Sequence, residues 1–194
     1  MSQIGEKPEV EPEVKPGGLV STGPKGLILE TPLGPMEARA EAGALVYLGF
    51  GLSAGAWGLR QSQADLREEQ PFKSLWLWLR EYFAGKEPTI EVKMSFKGTD
   101  FQKLVWRELL KIPFGKVTSY GELSKVVFKA LGRATGSGRA IGQAVGRNPL
   151  AILVPCHRVL AASGQLGGYA SGLVNKKALL EIEGWRGENI LKRK

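Results

Sequence analysis

One cysteine and one histidine, adjacent at Cys156 and His157, constrain the fold of this 194-residue chain more than any other feature. A lone thiol cannot close an internal disulfide, and a cysteine-ligated metal site is improbable on the same count. A hydrophobic core must therefore hold the fold, and a 43% apolar composition supplies one in the ordinary amount. No apolar run approaches the ~18 residues of a membrane span, and the N-terminus lacks the apolar core of a signal peptide. The chain is expected to be cytoplasmic or nucleoid-associated, with no membrane partner.

The net charge of +8 is unevenly placed. Residues 1–26 carry three Lys against four Glu, and residues 27–97 carry eight Lys/Arg against nine Asp/Glu. Residues 98–194 carry sixteen against six, so the whole excess lies in the C-terminal half. A phosphate-bearing partner for that half accounts for this economically. On charge alone, a basic solubility surface does so equally well.

The same boundaries divide the chain by pattern. Residues 1–26 ("EKPEVEPEVKPGG") offer too little apolar surface to offset the entropy of ordering, so a flexible tail without chemistry is expected. Residues 27–97 open with short apolar runs separated by turn signals at 31–34 and 41–43, which predict a small antiparallel meander. A helix follows from about Pro71, with Phe72, Leu75, Trp76, Leu79 and Phe83 at helical spacing, and Gly85 ends it. Trp76 and Trp78 read as core and interface residues rather than a base-stacking platform.

Residues 98–194 read as helical. Thr99-x-x-Gln102 and Ser119-x-x-Glu122 fit capping boxes that open two helices, the first stopped at Pro113. A third is predicted from Arg139 to Gly146, closed by Asn148-Pro149. Two short helices on the basic half suggest a helix-turn-helix. The third helix holds Gly138, Ala140, Gly142, Ala144 and Gly146 between Arg139 and Arg147. Each glycine costs up to ~1 kcal/mol there, which makes sense if something bulky must approach the backbone. A DNA groove is one candidate and a closely packed helix the other; the flanking arginines favour the groove.

A nucleophilic cysteine acts as thiolate and needs a base or nearby positive charge to lower its pKa from ~8.5. In "AILVPCHRVL" the local sources are His157 and Arg158. Neighbours on an extended backbone project to opposite faces, so direct Cys–His contact would require a turn, or else a bridging water. A buried thiol beside a surface imidazole is the alternative reading. The imidazole would need an orienting carboxylate, for which Glu181 and Glu183, on a helix from about Val174, are the nearest candidates. Gly167, Gly168 and Gly172 bracket Tyr169, as in a loop that admits a flat ligand to the main chain.

Three stretches, "GTDFQKLVWRELLKIPFGKVTSY", "PCHRV" and "GGYASGLVNKKALLEIEG", closely resemble the O6-alkylguanine-DNA alkyltransferase family, also called methylated-DNA–protein-cysteine methyltransferases. The resemblance spans about residues 27–184. It implies an α/β N-terminal domain of ribonuclease-H-like type, a small antiparallel sheet plus helix, and a mainly helical C-terminal domain with a helix-turn-helix. It implies direct-reversal repair of double-stranded DNA containing O6-alkylguanine, by a single-turnover protein without a cofactor. By motif, Cys156 is the alkyl acceptor, His157 the water-bridged base, Glu183 its orienting group and Tyr120 the phenol that protonates the purine. Arg139 resembles the finger that replaces the flipped nucleotide, with Ala140, Gly142, Arg147 and Arg158 also on the DNA side. Asn148 resembles a hinge, and Tyr169 and Ser171 should line the base pocket. Two departures stand out: a longer loop between Tyr120 and Arg139, and no residues for the N-terminal zinc site of some members. A monomer is expected.

Overall fold

The computed structural model describes residues 15–16, 25–52 and 69–186. Strands β1 (Lys15–Pro16), β2 (Lys25–Thr31), β3 (Gly34–Glu41) and β4 (Ala44–Phe50) form one antiparallel sheet in that order. The expected meander is there. Between β3 and β4, Ala42 and Gly43 both take positive φ (47° and 73°), which matches a two-residue loop to the strands' twist. Lys15 and Pro16 pair with Glu30 and Leu29, which corrects the expected tail at those two residues. Main-chain pairing on an edge requires no apolar core of its own. The other residues of 1–24 lie outside the described residues.

Helix α1 (Phe72–Phe83) buries Phe72, Leu75, Leu79, Tyr82 and Phe83, while Trp76 and Trp78 pack half-buried against the same core. On β4, Leu45 bonds Lys93 and Ser95 through its main chain, and Leu48 bonds Pro149 and Ala151, each at 2.8 Å. The sheet thus fixes two later segments, one of them leading directly into Cys156.

The C-terminal half holds α2 (Asp100–Leu110), α3 (Tyr120–Ala130), α4 (Gly138–Gly146) and α5 (Gly172–Ile182). Thr99 forms the full capping box with Gln102, accepting from its N–H at 3.2 Å and donating its own N–H to the side chain at 2.9 Å. Ser119 and Ser137 cap α3 and α4 through Glu122 N–H and Ala140 N–H. Trp106 Nε1 donates to the Ala144 carbonyl at 2.9 Å and so joins α2 to α4. One buried cluster runs from Leu29, Met36 and Leu48 of the sheet, through α1 and Trp106, to Val154 and Cys156. Each fully buried large apolar side chain in it contributes roughly 1.5–3 kcal/mol.

A parallel pair, β5 (Thr118–Ser119) with β6 (Val159–Leu160), was not anticipated. It sets the start of α3 beside the chain leaving Cys156. Among the described residues, no helix is long and apolar enough to cross a membrane.

Candidate active site

Cys156 does not lie on extended backbone. Residues Cys156–Arg158 form a single 3-10 turn that runs into β6. Ahead of it Ile152 is held at φ 67°, a left-handed conformation that a β-branched residue rarely adopts. Asn148 fixes this segment. Its amide donates to the Val154 carbonyl at 2.8 Å and to Cys156 Sγ at 3.1 Å, while its Oδ1 accepts from Leu150 N–H at 3.0 Å.

His157 is fully buried, so the surface-imidazole reading is excluded. Its Nε2 lies 2.7 Å from Glu183 Oε1, while Nδ1 is buried with no hydrogen-bond partner among the described residues. Facing an ionised carboxylate, Nε2 carries the proton and Nδ1 keeps its lone pair. The imidazole makes no direct hydrogen bond to the sulfur. Glu183 itself, one residue past α5, accepts five hydrogen bonds: from Tyr82, Gly115 N–H, His157 and twice from Arg158. Burial alone would raise the Glu183 carboxyl, but the bonds from His157 and Arg158 outweigh it and hold the pKa at about 2. Gly115 permits this approach at φ 67°, for a Cβ there would lie 2.9 Å from the Glu183 carbonyl.

Two expectations are corrected. Arg158, expected on the DNA side, is buried: it bonds Glu183 with Nε at 2.8 Å and the Ile112 carbonyl with Nη1 at 2.6 Å. The resting thiol, expected to be acidified, is instead pushed up, first by burial. Arg158 turns away from it, and burial keeps His157 neutral by lowering its pKa. The Asn148 hydrogen bond and the Lys176 charge offset this only in part.

In front of the sulfur a cavity of about 280 Å³ is lined by Cys156, Tyr120, Asn148, Tyr169, Ser171 and Gly142, among others. The β5–β6 pair brings Tyr120 to this wall. The hydroxyl of Tyr169 is buried without a partner among the described residues. On α4, Ile141, Ala144 and Val145 turn inward, while Arg139 and Arg147 are exposed and Ala140 is half-buried. A Cβ added at Gly138, Gly142 or Gly146 would meet nothing within 4 Å. Close packing inside the protein therefore does not explain those glycines.

A sequence profile described as "6-O-methylguanine DNA methyltransferase, DNA binding domain" matches residues 100–185. A methylated-DNA–protein-cysteine methyltransferase of Methanosarcina acetivorans is 41% identical over 157 residues, 81% of this chain and 96% of that one. The chain belongs to this family. A Mycobacterium tuberculosis methyltransferase of the same name is 50% identical over 105 residues, 54% of this chain and 61% of its own. The crystal structure of M. tuberculosis OGT in complex with DNA is similar at TM-score 0.64 and 38% identity, covering 80% of this chain and 90% of that one.

Within this methyltransferase, two buried polar side chains were missed from sequence. Lys176 donates to the carbonyls of Val159 (2.7 Å) and Leu166, and lies 3.4 Å from that of Gly168. Burial lowers it to about 8. Tyr82, from the N-terminal half, reaches Glu183 and His157. A signal existed for each. Both continue the apolar stripe of their helix, where a polar side-chain tip requires a buried partner.

Proposed function

We infer that the protein repairs O6-alkylguanine in double-stranded DNA by moving the alkyl group irreversibly onto Cys156. One observation carries the mechanism: a neutral buried imidazole, fixed by Glu183 on one side, keeps a free lone pair at Nδ1 beside the turn that holds the only thiol. Through a bridging water the thiol proton passes to Nδ1. The sulfur–carbon bond forms as the O6–alkyl bond breaks, and the electron pair moves into the purine. Tyr120 donates a proton to the purine, and the proton held on His157 restores the balance. A local base is required because burial favours the neutral thiol until the alkyl carbon arrives.

The cavity is at the small end of ligand pockets, roughly 300–1,000 Å³, and suits one planar base taken out of the stack. Tyr169 and Ser171 line it, and Asn148 acts as the hinge between α4 and the active-site turn. We read α3 and α4 as a helix-turn-helix, with the Gly138–Gly142–Gly146 face and Ala140 against the minor groove. Arg147 contacts the backbone, and Arg139 fills the place of the flipped nucleotide. The antiparallel sheet with α1 is read as a ribonuclease-H-like N-terminal domain, and the protein as a cytoplasmic monomer.

The test is intact mass after incubation with duplex DNA carrying O6-methylguanine. The mass should rise by one CH2 per protein molecule, and Cys156→Ala should show no rise. Several turnovers per molecule would refute transfer to self.

A further inference from the structure

A polar group from the N-terminal half reaches the active site. Tyr82 lies on the buried stripe of α1, three residues beyond Leu79, and is fully enclosed. Packing fixes its ring. Trp78 stacks on it at 5.2 Å with 9° between planes, and Phe83 and Phe114 meet it edge-on at 5.6 and 5.9 Å. The hydroxyl donates to Glu183 Oε1 at 2.8 Å and lies 3.3 Å from His157 Nε2.

We propose that Tyr82 is a positioning residue for the transfer, whose hydroxyl sets how strongly Glu183 pulls on the His157 ring. The proposal rests on the reading of His157 as the base. Three donors converge on Glu183 Oε1: Tyr82, His157 and Arg158 Nη2 at 3.0 Å. A hydroxyl bonded there takes up part of the oxygen's negative charge. A carboxylate shared in this way stabilises an imidazolium less than one bonded to histidine alone. Tyr82 therefore keeps the ring in register while holding its basicity down. Burial and the adjacent carboxylate push the phenol far above its usual range, so it stays a donor at any working pH.

The bland alternative is a core tyrosine whose hydroxyl merely needs a partner. The Leu179 carbonyl, 3.4 Å away, could serve in that case. The two readings differ in what His157 does when the hydroxyl is removed.

His157 is the only histidine, so an untagged, 15N-labelled protein shows one imidazole whose tautomer and titration are read directly. Tyr82→Phe retains the ring contacts and removes the donor. Its His157 should titrate higher than in the wild type, by on the order of one pH unit. The acid limb of Cys156 alkylation by free benzylated guanine should move up with it. Fluorotyrosine at position 82, a stronger donor of nearly the same shape, should move both downward, and it covers the case in which Tyr82→Phe does not fold. Identical His157 titrations in wild type and a folded variant would overturn the proposal and leave Tyr82 a core residue. The underlying reading fails separately, if the wild type takes up no alkyl group; the resting titration still reports on Tyr82 then.

Discussion

The two nitrogens of His157 face regions built on opposite rules. Behind Nε2, Glu183 accepts five hydrogen bonds and every donor comes from the protein. In front, Nδ1 and the Tyr169 hydroxyl are buried with no partner among the described residues, and Tyr169 lines the cavity that reaches Cys156. Buried polar groups are nearly always satisfied, so the contrast separates what holds the site from what must receive something. The rear can be rigid because it never meets substrate. The front retains groups that no described residue matches.

The largest effect should come from breaking the rear. Glu183→Gln removes the charge that Arg158 and the Nε2 proton require, leaving the Arg158 guanidinium buried and uncompensated. Loss of one partner of a buried ion pair costs about 3–5 kcal/mol of stability, measurable by denaturant unfolding. Transfer to Cys156 should slow by ~100-fold or more, comparable with His157→Ala, since base catalysis contributes about 10²–10⁴. The double variant should be little worse than either single one. Additive losses would mean that the two residues work separately.

Acid sharpens the same contrast without mutation. Glu183 has a folded pKa of about 2 against an ordinary 4.5, so it is a depressed group. Its stabilisation is present above pH 4.5 and is lost as pH falls toward 2. At ~1.4 kcal/mol per unit, that is on the order of 3 kcal/mol. His157 is depressed too, so it stays neutral in the folded protein and adds to the loss as pH falls below 6.5. Glu183→Gln should flatten the steep part below pH 4.5. A wild-type stability that is level from pH 6 to 3 would show that the rear carboxylate is not held as described.

The front yields a smaller, selective effect. Arg139 is exposed at the start of α4, away from the rear network. Arg139→Ala should leave alkylation by free benzylated guanine unchanged, since that base needs no flipping. Repair in duplex DNA should slow by roughly tenfold, the loss of one charge-assisted contact of about 1.5 kcal/mol. Equal losses in both assays would remove Arg139 from the finger role.

The rear was harder to read in the sequence than the front, for a physical reason. Capping is local, so Thr99 and Ser119 were legible within four residues of their partners. Helical phase likewise showed the stripe of α1 and brought Glu183 into view. Tyr82 and Glu183, by contrast, lie 101 residues apart. The β5–β6 pair joins two-residue strands some forty residues apart, too short to leave a periodic signature. The turn at Cys156 could not be told from extended backbone in sequence because its shape is imposed from outside, by Asn148 and by β4 docking at Leu48. The burial of Arg158 and Lys176 was not legible because their partners, Glu183 and Ile112 for one and Val159 and Leu166 for the other, lie elsewhere in the chain.

The smallest effect is expected at the edge of the sheet opposite β4. Lys15–Pro16 adds two residues to the outer edge of β2, and Pro16 has no N–H to give to that ladder. A chain beginning at Lys25 loses this pairing but keeps β2, β3 and β4, whose apolar residues form the core. Net stabilisation from one or two exposed edge hydrogen bonds is about 1 kcal/mol, so the melting temperature should fall by only a few degrees. Alkylation of Cys156 by free benzylated guanine should match the full chain, because the sheet acts on the site through β4, at the opposite edge. The shortened chain also exposes the β2 main chain, so light scattering on heating should rise sooner than for the full chain. If the alkylation rate fell with the melting temperature almost unchanged, the tail would reach the site directly. The division between a sealed rear and a receptive front would then have to include it.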